Sequence, residues 1–183
     1  APVLEGVRRS TATTTGSAHA AVSGAGSLVY LPGPATVSSA QLELVLADRK
    51  GTVEKLKQPL GPYVAPRVSP TGKEIAFTTN DGKEDFIAVA GLSGTSTIRR
   101  LTYGGNNRHP VWSGDGRYIA YQSDRDGDQA IFWQPADNTG QPERLTKPEP
   151  GTVHTPDAWH PAANVLAFTV FKAPEFSLWT LAV

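Results

Sequence analysis

The chain contains no cysteine and no methionine among its 183 residues. Without cysteine there can be no disulfide, no thiolate nucleophile and no cysteine-ligated zinc. No apolar run approaches the 18 or more residues a membrane-spanning helix requires, so direct membrane insertion is not expected. A preponderance of one charge is lacking too: 17 basic and 17 acidic side chains cancel. Neither a global field nor a basic block is present to draw in nucleic acid or an anionic membrane, and no nucleic-acid partner is expected. No charged-then-apolar leader opens the sequence. Since Ala1 comes first and Met is absent, the chain reads as a processed or excised piece. A Gly-x-Ser-x-Gly nucleophile elbow is likewise missing.

What the chain does have is turns. Its 18 Gly and 15 Pro are spread along the sequence rather than clustered, which suits many short strands better than a disordered tract. The turns also repeat. Ser23-Gly24-Ala25-Gly26, Ser69-Pro70-Thr71-Gly72, Ser113-Gly114-Asp115-Gly116 and His160-Pro161-Ala162-Ala163 each precede an apolar strand. Those strands are Leu28-Val29-Tyr30, Ile75-Ala76-Phe77, Ile119-Ala120-Tyr121 and Val165-Leu166-Ala167-Phe168. Anchored on Ser23, Ser69, Ser113 and His160, the spacings are 46, 44 and 47 residues. Each copy reads as a tight hairpin whose glycine supplies positive φ. The central small residue suits close packing of one sheet face on another.

A second hairpin follows in each unit, leading to strands at 42–46, 86–90, 130–133 and 178–181. Three units then end in a short charged-apolar strand: Glu54-Lys55-Leu56, Arg99-Arg100-Leu101-Thr102 and Glu143-Arg144-Leu145-Thr146. Four antiparallel strands per unit at a period above 40, with no helical periodicity, describe propeller blades. An immunoglobulin-type sandwich would not need one hairpin four times over. The expected fold is therefore all-β: one β-propeller domain over 1–183, with blades at about 17–57, 63–102, 109–146 and 154–183. The fourth unit stops after three strands. A closing strand at about 2–9 is expected to supply the outer strand of the last blade and lock the ring. The alternative is part of a larger ring, or a composite ring made by a dimer, with the monomer favoured.

The residues resemble the TolB-like, WD40-like propeller repeat. The likeness is best in Pro110-Val111-Trp112-Ser113-Gly114-Asp115-Gly116, then Asp124-Arg125-Asp126-Gly127, then Arg144-Leu145-Thr146. It covers about 60–183 well and 17–57 weakly. The chain is also similar to propeller regions attached to bacterial serine/threonine kinases, where an opening in the style of Pro2-Val3-Leu4-Glu5-Gly6-Val7-Arg8-Arg9 recurs. The resemblance implies a scaffold that binds protein or peptide, bacterial and outside the cytoplasm, in the periplasm. The chain lacks the separate N-terminal domain of TolB and has fewer blades.

Most residues that look chemical are absorbed by the repeat. Asp124-Arg125-Asp126-Gly127-Asp128 looks like a calcium loop. The position of the bidentate Glu is instead Pro135, and the segment falls where a hairpin turn is expected. His109 and His154 sit in connections entering inner strands and, with Asp157, are weighed as a metal set, but no tight ligand spacing supports one. His160 replaces the repeat's Ser and is expected to shape a turn. No Asp or Glu stands in an apolar context that would tune its pKa. Trp112, Trp133, Trp159 and Trp179 lie on strands and are expected to pack in the core rather than stack carbohydrate.

No catalytic residue, cofactor or metal is therefore assigned. What survives is the set of loops between blades, where the copies differ. Tyr63, Arg67, Tyr103, Asn106, Asn107, Arg108, His109 and His154 are the candidate partner-binding residues, because Arg, Tyr and His anchor interfaces well. The expected function is a non-catalytic protein- or peptide-binding module; the alternative is a small metal-dependent or hydrolase-like propeller enzyme.

Overall fold

In a computed structural model of the chain, residues 20–22, 28–30, 42–93 and 97–183 are described. They form fifteen strands in four antiparallel sheets, with no helix among them. Blade 1 is β1 (Ala20–Val22), β2 (Leu28–Tyr30), β3 (Val45–Ala47) and β4 (Val53–Lys55). Blade 2 is β5 (Val64–Val68), β6 (Glu74–Asn80), β7 (Asp85–Gly91) and β8 (Arg99–Arg100). Blade 3 is β9 (Asn107–Trp112), β10 (Tyr118–Ser123), β11 (Ala130–Pro135) and β12 (Glu143–Arg144). Blade 4 has three strands, β13 (Val153–Trp159), β14 (Val165–Lys172) and β15 (Glu175–Ala182). Within every sheet the strands pair in chain order. The expected closing strand at 2–9 and the first anchor, Ser23, lie outside the described residues.

The hairpin between first and second strands is built by its anchor residue. Ser113 donates its backbone N–H to the Tyr118 carbonyl at 2.9 Å, and its Oγ accepts from Tyr118 N at 2.9 Å. The hydroxyl also donates to Asp115 at 2.6 Å. Gly116 sits at φ 73°, a left-handed conformation that glycine adopts without Cβ strain. Ser69 repeats the arrangement with Thr71 in place of Asp115. In blade 4 the His160 ring takes over, its Nδ1 accepting from Ala162 N at 3.1 Å.

Each inner strand of blades 2 to 4 carries a proline in its middle: Pro66, Pro110 and Pro156. At each the pairing register slips. A bulge is where a residue without an N–H interrupts the ladder at least cost.

Blades meet through small and branched residues. Ala76 and Ala120, central in their hairpins, are completely buried. In blades 1 to 3 one side chain in or just before the third strand packs toward the following blade: Leu44, Ile87 and Ile131, all 0% exposed. The carbonyl at each of these positions accepts from the outer strand, from Leu56, Leu101 and Leu145 N at 3.0, 2.8 and 2.8 Å. Trp112 is buried and donates Nε1 to the Arg67 carbonyl at 2.9 Å. Trp133 stacks between Tyr118 and Trp159, with ring centroids 4.2 and 5.8 Å away. Trp179 departs from the expectation of core packing: it is 56% exposed, beside Leu178 at 83% and Phe176 at 51%. Its strand, β15, is the edge of a three-stranded sheet, and no described strand lies beyond it.

The inner strands pack in sequence, β1 on β5, β5 on β9 and β9 on β13. Among the described residues β13 makes no comparable contact with β1. Neighbouring blades thus pack through their inner strands in chain order.

Candidate functional site

Strands alternate in direction, so the β8–β9 and β12–β13 links share one end of the blades with the β6–β7 and β10–β11 turns. The β8–β9 link is held from several sides. Asp124, in the turn of blade 3, accepts from Asn106 N at 2.7 Å and from Asn106 Nδ2 at 2.9 Å. Asn106 Oδ1 in turn accepts from Asp85 N at 3.2 Å. Arg108 pairs with Asp85, and Arg125 donates to the Tyr103 carbonyl. Gly105 lies at φ 72° against this turn, where a Cβ would stand 2.8 Å from Asp124 Oδ1 and 2.9 Å from Arg125 N. Only glycine fits so close an approach.

This frame displays one aromatic and several cations. Tyr103 is 58% exposed. The Arg100 guanidinium lies 4.1 Å from the Phe86 ring centroid and 4.9 Å from that of Tyr103. It also reaches Asp81 and Glu84, so its position is fixed. Arg125 lies 5.5 Å from the Phe132 ring. Stacked guanidinium groups and a half-exposed tyrosine form a patch that can receive an aromatic or a carboxylate.

The eight candidate residues do not come together as one surface. Tyr103 and Arg108 are displayed, and Asn106 is tied into the frame. Asn107 is fully buried, donating to the Gly104 and Gly105 carbonyls at 3.1 and 2.9 Å. Tyr63 is in the core, edge-on to Phe77 at 4.9 Å, with its hydroxyl donating to the Pro59 carbonyl. His109 lies within β9 rather than ahead of it, at φ 56°, its N–H donating to Thr78 Oγ1 at 3.2 Å. His154, within β13, packs against Phe168. It borders a separate hollow of about 410 Å³ lined by Lys147, Lys172, Phe176 and Trp179. Burial holds the His154 imidazole below its ordinary pKa, with Asp128 acting in the opposite direction.

Arg67 in β5 and Asp157 in β13 interact electrostatically across blades 2 and 4. Burial lowers the Arg67 pKa, and Asp157 partly offsets this. Asp157 keeps access to solvent, yet the surrounding walls push its carboxyl upward, against Thr169, whose hydroxyl donates at 2.7 Å. An acid with a raised pKa was not expected from the sequence. The only local signal was the neighbouring Pro156, beside the register shift at Asp157. His109, His154 and Asp157 do not form a metal set. Among the described residues no three His, Cys, Asp or Glu are grouped to hold an ion. The calcium-like segment is a hairpin turn whose Asp126 and Asp128 bind Arg144.

The family model of the TolB beta propeller domain matches residues 35–182. No curated protein matches the chain. Among solved structures it is similar to a putative TolB from Agrobacterium tumefaciens, with 21% identity and a TM-score of 0.72. That likeness covers 86% of this chain and 58% of the other. TolB from Acinetobacter baumannii gives 22% identity and a TM-score of 0.72, over 90% of this chain and 40% of the other. The β-propeller domain of the Trilobed protease from Pyrococcus furiosus gives 19% and 0.58, over 88% and 52%. The chain thus spans about half the length of the structures it matches.

Proposed function

The chain belongs to the TolB β-propeller domain family, and from that premise we propose that it is a non-catalytic module that binds a protein or peptide on the loop end of its blades. The observation that carries this reading is the braced β8–β9 link. Asp124, Asp85 and Arg125 hold it, and it presents Tyr103 and Arg108 to solvent. A loop fixed before binding loses little conformational entropy on contact. Tyr and Arg are also the side chains that most often dominate interface energetics. The family resemblance supports a bacterial, extracytoplasmic setting, in which the module senses or recruits a partner for a larger protein.

The test is to select peptides from a random phage library on the immobilised chain and measure their affinity for variants. Tyr103→Ala and Arg108→Ala are each expected to weaken the selected peptides by about tenfold or more. Unchanged affinity in both variants would overturn the assignment to this patch.

A further inference from the structure

Arg99 reaches out of its own blade. It lies in β8 of blade 2, yet its Nη2 donates to the Ala136 carbonyl, in the β11–β12 link of blade 3, at 2.7 Å. This contact borders a hollow of about 480 Å³ whose lining includes Glu74, Arg99, Arg117, Tyr118, Pro135 and Asp137. Because strands alternate in direction, the hollow lies at the opposite end of the blades from the Tyr103 patch. Blades 2 and 3 each have four strands and a described blade on either side. The hollow therefore owes nothing to the ends of the sequence. Its wall on the blade 3 side is fixed. Ala136 N donates to the Arg117 carbonyl at 2.9 Å. Asn138 stands at φ 66°, a left-handed conformation uncommon for a side-chain-bearing residue. Gln134, 2% exposed, holds it there, with Nε2 donating to Asn138 Oδ1 at 3.1 Å and to the Leu101 carbonyl at 3.0 Å. Gln134 Oε1 in turn accepts from the Tyr121 hydroxyl at 2.9 Å. Backbone kept in such a conformation by buried partners is concentrated at ligand sites.

The charges around the hollow are two arginines and two acids, and each keeps hydrogen-bonding capacity in reserve. Arg99 Nη1 is buried with no partner among the described residues, a condition native structures seldom leave unanswered. Glu74 stands 3.9 Å from Arg99 Nη2, beyond hydrogen-bond reach. Neither the Arg117 guanidinium nor the Tyr118 hydroxyl hydrogen-bonds to a described residue. Asp137 spends only Oδ1, which accepts from Thr139 N at 3.0 Å and from Thr139 Oγ1 at 2.7 Å. These bonds, with a smaller contribution from Arg99, hold the Asp137 carboxyl below its ordinary pKa, so it stays anionic. Two cations and two anions give no net pull on a simple ion. They suit a ligand that carries both signs close together, since charge-assisted hydrogen bonds form at each. The volume falls in the range of about 300–1,000 Å³ typical of small-molecule sites, more than one ion fills. Pro135 and the Tyr118 ring, stacked on Trp133 with centroids 4.2 Å apart, supply an apolar surface beside the charges.

We propose that this hollow between blades 2 and 3 binds a free aromatic α-amino acid. Its carboxylate lies on Arg99 and Arg117, its ammonium on Glu74 and Asp137, and its side chain against Pro135 and Tyr118. The site is separate from the peptide patch, and Tyr103→Ala and Arg108→Ala are expected to leave it unchanged. Either assignment can therefore fail without the other.

The test is to titrate the full, isotope-labelled chain with phenylalanine and follow backbone amide chemical shifts. Saturable shifts are expected at Arg99, Arg117, Asp137 and Thr139. N-acetylphenylalanine keeps the carboxylate and loses the ammonium; phenylalaninamide does the reverse. Each is expected to bind about tenfold or more weakly than phenylalanine, because one pair of charged groups is left unmet. Arg99→Lys keeps the charge but not the planar fork, and Asp137→Asn keeps the shape of the loop. Both are expected to weaken phenylalanine by about tenfold or more. Should Arg99→Lys loosen the contact between blades, the exposed Arg117→Ala and Asp137→Asn decide the matter. The absence of saturable shifts, or shifts centred elsewhere, would overturn the proposal. So would unchanged affinity in both Arg117→Ala and Asp137→Asn. Binding of N-acetylphenylalanine as tight as that of phenylalanine would show a carboxylate site alone and overturn the amino-acid assignment.

Discussion

Blade 3 and blade 4 are written in nearly the same repeat, yet they are buried very differently. In blade 3 the third strand, Ala130–Pro135, has four buried and two half-buried positions; in blade 4 the matching strand is exposed at all but one of its eight positions. Ile131 and Leu178 occupy one register position, and one is sealed while the other is open. The repeat therefore dictates hairpins and registers, whereas burial comes from the neighbours: blade 4 and β12 cover blade 3, and no described strand covers β15. Replacing each side chain by alanine should separate the two. Ile131→Ala removes branched carbon from a closed interface and is expected to cost about 2–5 kcal/mol. Leu178→Ala should cost less than about 1 kcal/mol. Denaturant unfolding of both variants checks this, and equal losses would mean that something covers the β15 face.

The turns offer a smaller contrast. Gly116 holds a left-handed backbone in blade 3, while the aligned residue in blade 4 is Ala163, which is not among the positive-φ residues. Gly116→Ala meets only Pro70 Cδ at 3.5 Å, an ordinary contact, so its cost is conformational. That cost is about 1–2 kcal/mol. Ala163→Gly gains nothing from left-handed freedom and should lose roughly 0.5 kcal/mol through unfolded-state entropy. If both substitutions were neutral, the φ requirement would not be what separates the two turns.

A third contrast concerns Arg144, which ties β12 to the turn acids Asp126 and Asp128 in blade 3, an arginine that no described residue supplies in blade 4. Its partners are partly exposed and screened, so Arg144→Ala is expected to cost no more than about 1 kcal/mol. That loss should shrink in high salt, because screening weakens exposed pairs. A salt-independent loss would point instead to its contact with the Phe132 ring, 5.8 Å away.

How much of this was legible follows from the same contrast. The anchors Ser69, Ser113 and His160, their spacing and the hairpin order are local properties, and a sequence displays them directly. So is the turn role of His160, because its ring nitrogen stands in for a serine oxygen. Tyr63 and Asn107 fall in stretches that read as loops, but one is edge-on to Phe77 from the next hairpin and the other caps its own link from inside. Nothing in their immediate sequence reveals these partners. Trp179 has the composition of a core strand and lies at an edge, and the Asp157 carboxyl is raised by desolvation while Thr169 and the distant-in-sequence Arg67 oppose it. In each case the missing information is which surface arrives from elsewhere in the chain.

His154 gives the smallest effect and tests the blade 3–blade 4 seam itself. Its N–H donates to the Gln129 carbonyl at 3.0 Å, its carbonyl accepts from Gln122 Nε2 at 2.9 Å, and its ring packs on Phe168. Burial favours the neutral imidazole, so the folded pKa lies below the unfolded value of about 6.5. As pH falls, the unfolded chain takes up this proton before the folded one. Stability should therefore decline as pH drops through about 6.5, and the penalty should be complete below the depressed folded value. Asp128 opposes the shift and Arg144 adds to it, so the effect is a modest fall in unfolding midpoint. His154→Phe keeps the main-chain bonds and a flat ring while removing the titration. Its midpoint should change less than that of the unsubstituted chain between about pH 7 and about pH 5. Carboxylates elsewhere titrate alike in both proteins, so the difference isolates His154. Parallel curves would mean that the imidazole is solvated at the seam and that blades 3 and 4 meet less tightly than blades 2 and 3.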